Sequence, residues 1–189
     1  MTSARRFKVE HLEQRCLLTR NRSIFDGDLI IDDAGPQGND NLTLSVFGPD
    51  LIVEDPGNTL VTGIAGSTGS GTNLVTIPLS SFSDRLFINT LDGDDTVTFD
   101  PTFDLGFGPV LEVDGGVGFD QVAWNSFAPP SGLDFTAESI QLNDGLIDTG
   151  SGPQVYNGNV TLANPTTILA GDVIFNGSVN GAFGVTLNI

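Results

Sequence analysis

Apolar and polar residues alternate one by one over short stretches of this chain, and turn chemistry leads into many of them. The clearest case is a phrase that occurs three times: Gly38-Asn39-Asp40-Asn41-Leu42-Thr43-Leu44, Gly93-Asp94-Asp95-Thr96-Val97-Thr98-Phe99 and Gly118-Phe119-Asp120-Gln121-Val122-Ala123-Trp124. Its common form is Gly-x-Asp-x-aliphatic-x-bulky apolar. Glycine supplies positive φ and aspartate bonds back to its own backbone, so the first half reads as a turn. In the second half every other side chain is apolar, which marks a strand buried on one face. Strands are expected over residues 29–31, 42–47, 51–54, 59–62, 74–77, 86–91, 96–99, 110–113 and 121–124. Turn residues separate them, at 34–36, 48–50, 55–58, 66–72 and 106–109. No segment between them is long enough for a crossover helix, which argues against an α/β alternation.

Beyond residue 131 the spacing tightens. Tyr156-Asn157-Gly158-Asn159-Val160 recurs 19 positions later as Phe175-Asn176-Gly177-Ser178-Val179, and Leu162, Ile168, Val173, Val179 and Val185 follow at intervals of five or six. A repeat of about 19–25 residues is the length of one coil in a parallel β-helix. The expected fold is therefore all-β: a parallel β-helix (β-solenoid) with a short N-terminal helix or disordered arm. A β-sandwich for residues 23–128 is the alternative, because short punctuated strands fit both. The coil reading stacks Tyr156 on Phe175 in the core and sets Asn157 beside Asn176 at the adjoining turn. It divides the chain into an arm over 1–22, an acidic β-repeat region over 23–128 and β-helix coils over 129–189. The final strand has no polar cap, so the chain reads as the N-terminal piece of something longer or as a unit that associates end to end.

Charge narrows the partners. The formal net charge is −17, and six of the seven basic residues (Arg5, Arg6, Lys8, Arg15, Arg20, Arg22) lie in the arm. Past it, Arg85 faces all of the 24 carboxylates except Glu10 and Glu13. Nothing there offers a phosphate a basic surface, which argues against nucleic acid as a partner. Such a body suits a cation-rich exterior. Cys16 is the single cysteine, so no disulfide forms within the chain. No apolar run reaches the ~18 residues of a transmembrane helix.

In the arm, Val9, Leu12 and Cys16 fall at helical spacing and predict an amphipathic helix over 7–18. Leu12-Glu13-Gln14-Arg15-Cys16-Leu17-Leu18 resembles the N-terminal Leu-Glu-Pro-Arg-x-Leu-Leu motif of large surface and secreted proteins of planctomycete-type bacteria, with Gln14 in place of proline. Phrases such as Leu91-Asp92-Gly93-Asp94-Asp95-Thr96-Val97-Thr98-Phe99 resemble the coil phrases of that family. The resemblance implies a cell-surface or extracellular destination and says nothing of chemistry.

One stretch carries candidate chemistry. Gly115-Gly116-Val117-Gly118-Phe119-Asp120-Gln121-Val122-Ala123 is similar at every fixed position to the Gly-Gly-x-Gly-x-Asp nonapeptide of calcium-binding β-rolls. In those rolls Ca2+ is held between neighbouring nonapeptides by oxygen ligands. This chain has one copy, and Asp40, Asp95 and Asp120 are not spaced nine apart, so the first reading is a strand-entry turn without an ion. If calcium does bind, the expected metal oxygens are those of Asp120, Asp95, Asp92 and Asp114, with a dissociation constant of about 10⁻⁴–10⁻³ M. Pectate lyases and polygalacturonases, the enzymatic β-helices, need a basic residue or clustered Asp with His and Arg or Lys. Here His11 lies in the arm and Arg85 is the body's one cation, so no catalytic residue is assigned. Trp124 is expected to pack in the core.

The expected function is a non-enzymatic structural or adhesion β-solenoid of the cell surface or exterior, with weak divalent-cation binding at acidic turns. Its expected partners are other β-solenoid segments or envelope and matrix polymers. The alternatives are a calcium-dependent β-roll folding module and a polysaccharide lyase or hydrolase.

Overall fold

A computed structural model describes residues 21–25, 27–33, 38–106, 108–126 and 130–189. The helix expected over 7–18 and the turn at 34–36 lie outside these residues. The described chain is almost wholly strand and turn. Its strands are β1 (Asn21–Phe25), β2 (Asp28–Asp32), β3 (Asn41–Phe47), β4 (Asp50–Glu54), β5 (Leu74–Pro78), β6 (Arg85–Asn89), β7 (Thr96–Phe99) and β8 (Val110–Asp114). They continue as β9 (Gln121–Trp124), β10 (Leu133–Leu142), β11 (Leu146–Asp148), β12 (Pro153–Leu162), β13 (Thr166–Leu169), β14 (Asp172–Phe175), β15 (Val179–Gly181) and β16 (Val185–Asn188).

Strands that are distant in sequence lie side by side and parallel, winding the chain into a β-solenoid of about five turns. One face stacks β2, β6, β8, the first half of β10, the first half of β12, and β14. A second face stacks β3, β7, β9, the remaining halves of β10 and β12, and β15. A third begins in the later coils with β11, β13 and β16. β10 and β12 run through the corner between the first two faces, and their register slips there, between Thr136 and Ser139.

Because the register repeats coil by coil, residues of like kind form columns. On the first face Ile31, Ile88, Val113, Phe135, Tyr156 and Phe175 lie one above another. On the second, Leu44, Phe99, Trp124, Leu142 and Leu162 do so. All but the last member of the first column are buried. Rings join across the interior, with Phe99 4.9 Å from Phe103, 5.2 Å from Trp124 and 5.8 Å from Phe135. Tyr156 stacks on Phe175 at 5.1 Å and 12°, and Asn176 Nδ2 donates to Asn157 Oδ1 at 2.7 Å, both as the 19-residue repeat predicts. Gln154 is the polar member of its column. It accepts the Tyr156 hydroxyl at 2.7 Å and donates to Thr149 Oγ1 and the Leu169 carbonyl, so its burial leaves the amide bonded. Burial also pushes the Tyr156 hydroxyl pKa above its ordinary value.

Among the described residues, antiparallel pairing, the mark of the sandwich alternative, is confined to the first coil. There β1 pairs with β2, and β4 and β5 extend the second face from β3. Elsewhere in 23–128 the strands pair in parallel. Two strand expectations need correction. Residues 59–62 form no strand, because Leu60 makes only an isolated bridge to Thr72. The strand expected over 86–91 ends at Asn89, because the chain turns the corner through Leu91 at φ +65°. Between the two arrays expected on either side of residue 129, residues 127–129 are outside the described set, and beyond them β10 lies directly on β8 and β9.

Candidate functional site at the acidic corner

The thrice-repeated phrase forms the corner that leads into the second face, and its three copies lie over one another. A strand ladder satisfies backbone groups only where strands run side by side; at a corner the N–H groups need another acceptor. Carboxylates supply it. Asp95 Oδ1 accepts the Asp40 N–H at 2.7 Å, Asp120 Oδ1 accepts the Asp95 N–H at 2.9 Å, and Glu138 Oε2 accepts the Asp120 N–H at 2.7 Å. Each acid thus ties down the corner of the preceding coil. The carbonyls of the same residues accept from the next coil: Thr96 N–H donates to Asp40, Gln121 to Asp95 and Ser139 to Asp120. At the start of the column Asn58 Nδ2 bridges Asp40 Oδ1 at 2.8 Å and Asp55 Oδ2 at 3.1 Å. Hydrogen bonds to an ionised acceptor are the stronger kind, so these are substantial ties between coils.

A second row runs beside the first. Asn39 Oδ1 accepts the Asp94 N–H at 3.1 Å, and Asp94 Oδ1 accepts the Phe119 N–H at 2.9 Å. In the second and third copies, the glycine that opens the phrase is required by closeness. A Cβ on Gly93 would sit 2.6 Å from the Gly38 carbonyl oxygen, and one on Gly118 would overlap the Gly93 carbonyl.

Of the four residues predicted to offer metal oxygens, the structure brings Asp95 and Asp120 together in the buried column. Asp114 ends β8 and accepts the Gly116 N–H in its own turn at 3.1 Å. Asp92 is exposed and lines a shallow groove of about 400 Å³ with Asn39, Gly93, Asp94, Val117 and Gly118. Among the described residues, no group of three or more His, Cys, Asp and Glu side chains is placed to hold a metal ion. Glu138 belongs to the column although no Gly-x-Asp phrase announces it. Only the register, with Ser139 opposite Gln121, puts it in the position of Asp120 one coil on.

Burial governs the electrostatics. Asp120 is 2 % exposed, and its Oδ2 has no hydrogen-bond partner among the described residues. Loss of hydration pushes its pKa up to about 6, and the charges of Asp95, Glu138 and Asp94 add to the rise; the Asp95 N–H opposes it. Asp32 and Asp134 are also raised, chiefly by burial. A carboxyl whose folded pKa is raised holds its proton more tightly folded than unfolded. Its contribution is full below the ordinary carboxylate pKa and is lost as pH rises through about 6. The thermal midpoint is therefore expected to fall by several degrees between pH 5 and 7.5, followed by circular dichroism. Asp120→Asn should flatten that slope; an unchanged slope would show that Asp120 is not its source.

Fold and corner together define a repeat architecture, a parallel β-solenoid whose coils are laced by carboxylate-to-backbone bonds. No family model, no curated protein and no solved structure matches the chain.

Proposed function

We propose that this protein is a non-enzymatic structural β-solenoid of the cell surface or extracellular matrix. The observation that carries the reading is the corner column: Asp95, Asp120 and Glu138 each hold a backbone N–H of the neighbouring coil. The most conspicuous motif of the sequence thereby has a mechanical role, which is to stiffen a stack of coils. Parallel ladders along the faces add to that stiffness, since each coil is hydrogen-bonded along its strands to the next. The arm motif at residues 12–18 and the acidity of the body support an exterior setting.

Outward carboxylates such as Asp92, Asp94 and Asp114 then meet the millimolar divalent cations of that setting. They associate with them weakly and collectively, and partners are other solenoid segments or matrix polymers. Because the corner N–H groups are bonded by the protein's own carboxylates, folding precedes and does not require calcium. The β-strand circular dichroism signal is expected to be the same in chelator and in millimolar calcium, with a rise of a few degrees in thermal midpoint when the cation is present. Strand signal that appears only with calcium would overturn this reading in favour of a folding module of the β-roll kind.

A further inference from the structure

The corner groove beside Asp92 is apolar as well as acidic. Val117, Phe119 and Leu91 are 72 %, 55 % and 39 % exposed there. The Val117 N–H donates to the Leu91 carbonyl and the Phe119 N–H to Asp94, so the three side chains gather where two coils meet. Asp92 and Asp94 line the same groove. Past residue 22 the sole basic residue is Arg85, and it is bonded to Asp28 and Glu112. No basic side chain of residues 23–189 is left to neutralise the two acids. The strands that follow these turns, β7 and β9, have parallel neighbours on both sides, so neither end of the chain sets the exposure of the groove. Its chemistry suits an occupant that is cationic and apolar together.

The arm has that chemistry. Residues 1–20 hold five basic residues against Glu10 and Glu13, interleaved with Phe7, Val9, Leu12, Leu17 and Leu18. In the helix expected over 7–18, Lys8, Leu12 and Arg15 share one face, which sets an apolar side chain between two cations. The arm is also tethered beside the groove. β1 begins at Asn21, which lies next to Asp32; Asp32 lies next to Asn89, and Asn89 next to Asp114. The chain therefore enters β1 about 10 Å, two strand spacings, from Asn89 and the turn that carries Asp92. The link from Asn21 back to Arg15 spans up to about 20 Å, so the arm reaches both acids. Residues 34–37, which precede the groove's Asn39, carry no charge and cannot supply the complement. A segment on so short a tether meets the groove at an effective concentration of about millimolar, above that of a separate copy at micromolar. We propose that residues 5–20 dock along this corner, with basic side chains against Asp92 and Asp94 and apolar ones against Leu91, Val117 and Phe119. This goes beyond the surface-solenoid reading and does not rest on it.

Cys16 is the single cysteine, so one nitroxide label on it reports where the arm lies in the 189-residue chain. The amide resonances of residues 91–94 and 117–119 should broaden, while those of β11, on the third face, should not. In about 1 M salt, where the screening length is ~3 Å, the broadening should fall severalfold. Asp92→Asn/Asp94→Asn should weaken it to a similar degree with the strand signal unchanged, because asparagine at 94 keeps an oxygen to accept the Phe119 N–H. Arg15→Gln/Arg20→Gln, measured alongside, should do the same while leaving the groove intact. Broadening that is undiminished in salt or in either folded variant overturns the proposal. So does its absence at the corner, the outcome if the arm serves an anionic membrane surface instead. Broadening in an isotope-labelled Cys16→Ser copy mixed with the spin-labelled chain overturns it too, because the contact then lies between copies.

Discussion

Gly118→Ala is expected to destabilise the protein by at least about 3 kcal/mol, enough to abolish the fold if the total is modest. Gly118 has φ +153°, and its Cα passes so near the Gly93 carbonyl that a methyl group cannot fit without forcing two coils apart. The obstacle is backbone, so no side-chain rotation relieves it. The same substitution at Gly38, the first copy of the phrase, meets nothing within 4 Å and should cost less than about 1 kcal/mol. Urea midpoints of the two variants decide the matter. Equal costs would show that local turn preference, and not the approach of the neighbouring coil, sets the glycine.

Phe99→Ala should cost about 3–5 kcal/mol, the range for emptying a buried phenylalanine site. Phe99 is fully buried and its ring meets Phe103, Trp124 and Phe135, which belong to different coils or turns, so relaxation into the vacated volume is opposed from three sides. Trp124→Phe is the informative companion. The indole Nε1 is buried with no hydrogen-bond partner among the described residues, so the substitution removes an uncompensated donor along with some packing area. Its cost should fall well below that of Phe99→Ala. Trp124 is the single tryptophan and is wholly buried, so its emission reports unfolding directly in the Phe99 variant. A loss below 1.5 kcal/mol at Phe99, on the scale of a conservative core swap, would mean that the aromatic column is loosely packed.

How much of this was legible differs from element to element. β7 and β9 coincide with the strands expected at 96–99 and 121–124, because a Gly-Asp turn followed by strict alternation acts within a few residues. The Tyr156–Phe175 stack and the Asn157–Asn176 bond were legible from a 19-residue echo, since a repeat of one coil length lays equal residues over each other. Residues 59–62, Thr-Leu-Val-Thr, are β-branched and apolar enough to suggest a strand, yet composition cannot say whether a partner lies alongside. The candidate metal oxygens divided for a similar reason. Asp95 and Asp120 share a register position and meet, while Asp92 and Asp114 hold other positions in the same two corners, Asp92 exposed at the groove and Asp114 bonded to the Gly116 N–H.

By itself, then, the amino-acid order determined the strand-and-turn grammar, the acidity of the body and the length of the later coils, all of which follow from residues close together in the chain. Only the tertiary structure decided which turn lies over which. Partners 55, 25 and 18 residues apart converge in a single column, and no local rule yields three such unequal separations. From that convergence come the burial that lifts the Asp120 pKa, the place of Glu138 and the need for glycine at position 118.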